Sequence, residues 1–144
     1  MSSTNWTERV GPTAALATIR KHQQLNVAEH LNEIGKMIQE GWSQAAKKCG
    51  LKIRVSGIYP LSHFTFEYEN ASVMKAYFVQ EMLHRGFLAS NIFYAMYAHQ
   101  QDHVKQYLHA VEKIFGEIVD LHQKGELVHH LQGRPAASGF KRLT

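Results

Sequence analysis

The chain has 144 residues, 44% of them hydrophobic and 10% aromatic, enough to enclose one core that removes roughly two-thirds of its surface from water. No stretch approaches the ~20 consecutive apolar residues of a membrane-spanning helix, and MSSTNWTERVG has neither a leader's apolar run nor a transit-peptide bias, so a cytoplasmic protein without a membrane partner is expected. The formal charge of +4 is scattered, apart from Lys47, Lys48, Lys52 and Arg54 and the C-terminal Arg134, Lys141 and Arg142, and no helix-turn-helix, stacking strand or zinc motif accompanies it, so nucleic acid is not expected as a partner.

In chain order, Gly11-Pro12 opens a helix over 12–24, because proline at the first helical position gives up a donor that had no partner anyway. Asn26, with Glu29 three residues later, reads as the cap of a long amphipathic helix. Val27, Leu31, Ile34, Ile38, Trp42, Ala45 and Cys49 follow at steps of three or four, and Gly50 stops the helix. LKIRVSGI and HFTFEY, on either side of the turn-forming Tyr59-Pro60, predict two neighbouring antiparallel strands.

Ser72 offers a cap for a third helix carrying Val73, Ala76, Tyr77, Gln80 and Leu83, and Gly86 after His84-Arg85 is a left-handed stop. Phe87-Leu88 and IFYAMYA are short apolar segments suited to strands. Val104, Tyr107, Leu108, Val111, Phe115, Ile118 and Leu121 then mark a fourth helix. The order helix, strand, strand, helix, strand, helix predicts an α+β fold, a small antiparallel sheet with amphipathic helices packed on one face.

The residues carry little chemistry of their own. There are ten histidines, but a zinc site needs at least three ligands and an orienting shell, and HEXXH is absent, so no metal is expected. His99 and His103 would share one helix face at i, i+4, where packing or capping is the plain role. Cys49, the single cysteine, reads as a small apolar residue. No GXSXG elbow, Walker loop or GXGXXG occurs. The methionines and aromatics from Met37 to Tyr97 sit at periodic positions that suit a core.

Four stretches nevertheless carry a likeness: SSTNWTERVGPTAALATI, QEMLHRGFLAS, YAHQQDHVKQYLHAVEKIF and the closing SGFKRLT. In order and spacing, from Ser2 to Thr144, the chain resembles the C-terminal part of class III, fold-type-I, pyridoxal-phosphate-dependent aminotransferases of the glutamate-1-semialdehyde aminomutase-like branch. The resemblance implies a dimer of two-domain subunits, in which a large domain holds pyridoxal phosphate as a Schiff base on lysine and a small C-terminal domain closes the cleft. Residues 1–25 would form an interdomain and interface segment with its helix, and 26–144 the small domain.

The same resemblance implies amino-group transfer between an amino compound and a carbonyl acceptor once the large domain completes the site. The family's catalytic lysine lies upstream of the Ser-Thr stretch and would precede Met1, so no catalytic residue is expected in this chain. A Schiff base also needs an amine whose pKa its surroundings lower, and lysines such as Lys36 and Lys113 sit on solvated helix faces. Thr4, with Ser3 beside it and Thr7 as second choice, matches the threonine that reaches across the dimer to the cofactor phosphate.

Ser90 and Asn91 fall where the family turns a strand toward the substrate, but the carboxylate found there in the aminomutases proper is missing, which disfavours mutase activity. Gln100 replaces the threonine usual after the Ala-His pair, so His99 or Gln100 is expected to serve the helix start less well. The expected partners are a large pyridoxal-phosphate domain or a paralogous subunit, and further copies of the chain. The alternative is a stand-alone binding or assembly module without catalysis.

Overall fold

The computed structural model describes residues 8–133 and 135. Helix α1 (Val10–Gln24) begins two residues before the predicted proline start and buries none of its residues. Helix α2 (Val27–Cys49) follows after Leu25 and Asn26. Asn26 does not act as the expected N-cap. It takes a left-handed conformation, φ 47°, and its side-chain amide bonds the Glu29 carboxylate instead of the helix backbone. Short polar side chains tolerate that conformation, and here it lets one helix turn directly into the next.

The apolar stripe of α2 lies inward as its spacing requires, with Ile34, Ile38, Trp42, Ala45 and Ala46 buried. Gly50, at φ 70°, ends the helix in the left-handed turn that glycine enters without strain. Strands β1 (Ile53–Ile58) and β2 (Leu61–Phe66) pair antiparallel across Tyr59-Pro60, with Ile58 opposite Leu61 and Ile53 opposite Phe66.

Helix α3 (Ala71–His84) starts after Asn70, so Ser72 lies inside its first turn and is not the cap. After Gly86 the chain runs without strand structure through Phe87-Leu88. Only Ile92–Tyr94 forms β3, which pairs antiparallel with β2 through Leu61 to His63. The expected strand at Phe87-Leu88 fails because Phe87 packs inward on the core while Leu88 stands 98% exposed, with no sheet neighbour to extend. Helix α4 (Gln101–Lys124) ends at the left-handed Gly125, and a single 3-10 turn, Leu127–His130, follows it.

The sheet order is β1-β2-β3. Along β2 the buried residues are Ser62, Phe64 and Phe66, while Leu61, His63 and Thr65 lie on the other side, so one face carries the core. This is the α+β arrangement that the element order implies, with α2, α3 and α4 packed over that face. Phe64 is its centre: Trp42, Phe66, Phe78 and Phe115 surround it edge-on with ring centroids 4.9 to 5.6 Å away. Each such ring contributes about 1.5–3 kcal/mol through burial alone.

Close backbone approach sets the position of α2. A Cβ on Gly35 would lie 1.8 Å from the carbonyl oxygen of Tyr59, so only glycine lets the β1–β2 turn rest against the helix there. Gln39 fastens the same turn, donating to the Gly57 carbonyl at 3.1 Å and the Ser62 hydroxyl at 3.0 Å. Arg85 at the end of α3 bridges Glu81 and Glu117, tying α3 to α4. No helix among the described residues is long and apolar enough to cross a membrane.

Candidate functional site

A pocket of about 520 Å³ lies at the β3 edge of the sheet. Phe87 to Ser90 form one wall, Ile92 to Tyr94 a second, and Met96, His99, His103, Val104 and Tyr107 close it from the loop and the first turns of α4. That size suits a small organic ligand. Among the described residues none of the lining side chains is Asp, Glu, Lys or Arg.

The segment from Met96 to His103 is organised by imidazoles. The backbone N–H of Met96 donates to Nδ1 of His99 at 3.1 Å, and that of Gln100 donates to Nδ1 of His103 at 3.2 Å as half of a capping box. Gln100, one of the two residues to which the sequence pointed, holds the N-cap position, its side chain accepting the His103 N–H as the other half of the box. From α2, the Nε2–H of His30 donates to the carbonyl of His99 at 2.9 Å, and the His30 ring sits edge-on to Tyr97, 5.2 Å away.

These bonds decide the proton positions. A ring nitrogen that accepts a backbone N–H carries no proton, so in their neutral forms both His99 and His103 are Nε2–H donors. Burial lowers the pKa of His99, and the neighbouring His103 and His30 push in the same direction. The ring also lies against Phe93, centroids 5.0 Å apart. Together these favour a neutral imidazole at the pocket wall.

Of the residues singled out in the sequence, Ser90 stands on the pocket wall, its Oγ accepting the Ile92 N–H at 3.2 Å. Asn91 is not among the lining residues. Its Nδ2 donates to the Phe64 carbonyl at 2.8 Å while the Phe64 N–H donates to the Asn91 carbonyl at 3.0 Å, which prolongs the β2–β3 pairing by one residue, and its Oδ1 is buried without a partner. Thr4, Ser3 and Thr7 lie outside the described residues. His99 and His103, treated in the sequence as packing or capping residues, turn out to share the pocket. Their i, i+4 spacing is a weak signal of this, because His99 precedes the helix and only the loop geometry brings both rings to one cavity.

Lys36 and Lys113, the lysines considered as amines, are solvent-exposed, and neither lines the pocket. The described pocket residues do not fit a pyridoxal-phosphate site of their own, because none of them offers an amine for a Schiff base or a cation for the phosphate. Cys49 is half-buried against the Glu112 carbonyl, and burial, then the Glu112 carboxylate, raises its thiol pKa, which makes it a poor nucleophile. Among the described residues no group of three or more His, Cys, Asp or Glu could hold a metal ion.

No family model matches the chain, and no curated protein matches it at a significant level. Among solved structures it is similar to the FumI protein of Sphingopyxis sp. MTA144 in its PLP internal aldimine form, with a TM-score of 0.59 and 18% identity. The match covers 72% of this chain and 24% of that one, so the chain spans only about a quarter of the length of the solved protein. At this identity the likeness establishes a fold: three antiparallel strands under helices, arranged as in one part of a PLP-containing protein.

Proposed function

We propose that this chain is the C-terminal small domain of a pyridoxal-phosphate-dependent aminotransferase, and that it forms one wall of a cleft whose cofactor is held on another domain or subunit. The observation that carries the reading is the agreement of two independent signals. The ordered motifs from Ser2 to Thr144 resemble that class, and the described fold is similar to part of a protein solved as a PLP internal aldimine. The pocket supports it too, since Ser90, at the position where the family turns toward substrate, stands on its wall.

On this reading the chain contributes binding and closure, and the Schiff-base lysine comes from elsewhere. Thr4 and Ser3 remain the proposed contacts to the cofactor phosphate across a dimer interface, and Ser90 and Asn91 the proposed substrate-side residues. The amino donor and acceptor include no aminomutase substrate that requires the missing carboxylate. Residues 1–25 form the interface segment and 26–144 the domain proper, in a protein of the cytoplasm.

The test is spectroscopic. The chain alone, mixed with pyridoxal phosphate, shows no internal-aldimine band. The product of its native gene region, purified with whatever partner it binds, shows that band and loses it on addition of an amino donor. A band from the chain alone that one lysine substitution removes would overturn the division of labour. A native product that carries no pyridoxal phosphate and forms a defined oligomer would favour the stand-alone assembly module.

A further inference from the structure

The chemistry of the pocket wall narrows what can occupy it. Its surface is made of Phe87, Leu88, Ile92, Phe93, Met96 and Tyr107 among others, and none of the described residues that line it carries a fixed charge. Moving a carboxylate or ammonium group into such a place without a partner is costly. Two imidazoles, besides the Ser90 hydroxyl, are nonetheless held in set orientation. Because Nδ1 of His99 and of His103 each accept a backbone N–H, both rings have only Nε2–H left to offer a ligand. Carrying both as cations would put a second proton on Nδ1, facing the N–H groups of Met96 and Gln100, and would break the turn that shapes the wall.

We propose that this pocket binds the uncharged, mainly apolar part of an oxo or hydroxy compound, with an acceptor oxygen held by the Nε2–H groups of His99 and His103. The inference rests on the reading above only in making that compound part of the substrate of the completed enzyme. It deepens that reading by assigning the pocket a chemical class: an uncharged, mainly apolar part of an amino or keto compound that bears an acceptor oxygen, in preference to a carboxylate or an ammonium group. Among the described residues the titratable groups that act on His99 are His103 and His30 from α2, and Asp102 stands next to His103 in the first turn of α4. Asp102 is occupied by Lys105 at 3.1 Å.

The experiment uses the chain by itself, without cofactor, so a failure of the aminotransferase reading leaves it interpretable. The chain, labelled with nitrogen-15 at pH 7.5, is titrated with 2-octanone, octanoate and octylammonium, which share a tail and differ in the head group. The ketone is expected to shift the amides of Ile92 to Met96 and the ring nitrogens of His99 and His103, and to bind on the order of tenfold more tightly than either ion. His99→Phe keeps a ring on Phe93 but removes both the donor and the acceptor of the Met96 N–H, so it is expected to reduce the ketone's advantage to within about twofold, with the Ile92 to Met96 amides of the free variant checked for an intact wall. His103→Asn, at an exposed position, does the same in part and serves if the first variant fails to fold. Octanoate or octylammonium binding as tightly as the ketone would overturn the proposal. So would ketone shifts confined to the outer sheet face at Ile58 and Leu61.

Discussion

The indole N–H of Trp42 donates to the phenolic oxygen of Tyr107 at 3.0 Å, a bond between α2 and α4 that is enclosed by the core. Burial raises the pKa of Tyr107 far above its ordinary range, so the phenol stays neutral at any pH the fold survives. Tyr107 also lies beside Phe87 and Phe93, and through them the bond braces one side of the pocket. Tyr107→Phe leaves the Trp42 N–H buried without an acceptor, at an expected cost of about 1–3 kcal/mol by urea denaturation. Adding Trp42→Phe then costs less than the two single changes summed, because the orphaned donor is gone. Strictly additive losses would show that the bond does not couple the helices.

Gly35 gives the sharpest contrast between two similar substitutions. Gly35→Ala drives a methyl into the Tyr59 carbonyl and should destabilise the chain by about 1–3 kcal/mol or more, since backbone must move. Gly116→Ala, in α4, meets its nearest atom, Cys49 Sγ, at 4.0 Å, and should instead gain about 0.5–1 kcal/mol from helix propensity. Thermal denaturation of the two variants checks both signs. Equal effects would mean that the turn does not rest on α2 as described.

His99 makes stability depend on pH. Its pKa lies below the ordinary 6.5 in the folded chain, first through burial and then through His103 and His30, so the unfolded chain takes up the proton more readily. The contribution is therefore fully present above about pH 6.5 and is lost as pH falls from there toward the folded value. The melting temperature should drop over that window, and His99→Asn, whose amide oxygen can still accept the Met96 N–H, should flatten the drop. An unchanged profile in that variant would assign the titration to another group.

Helix α1 exposes Val10 by 75% and Leu16 and Ile19 by 54% each, with no buried residue to hold it. An apolar helix face in that state is expected to associate. The chain should form dimers or larger species in light scattering at high concentration, and Leu16→Glu with Ile19→Glu should return it to a monomer without lowering its melting temperature. A monomeric native chain that binds no hydrophobic dye would contradict this.

How much of this was legible beforehand differs between the fold and the pocket. The stripe from Ile34 to Ala45 and that from Val104 to Ile118 place two helices without ambiguity, because a period of 3.6 sustained over several turns has no competing explanation. Gly50 and Gly86 stop their helices at positive φ for the local reason that makes glycine common there. These are short-range effects, and sequence alone determines them.

Local rules failed where a side chain had a competing partner. Asn26 was drawn to Glu29 and away from the backbone, Ser72 yielded the cap position to Asn70, and Phe87 packed inward where a strand was expected. The pocket depends on the same kind of long-range decision. His30 and His99 are 69 positions apart, and His99 comes before the helix that carries His103, so no periodicity joins the three. Sequence determined which residues form helices, strands and core, since those follow from spacing and intrinsic preference. Only the tertiary structure decided that both rings line one cavity without a charged side chain among the described residues, because packing between α2, β3 and α4 sets that, whereas the backbone donors that orient the rings lie three residues away.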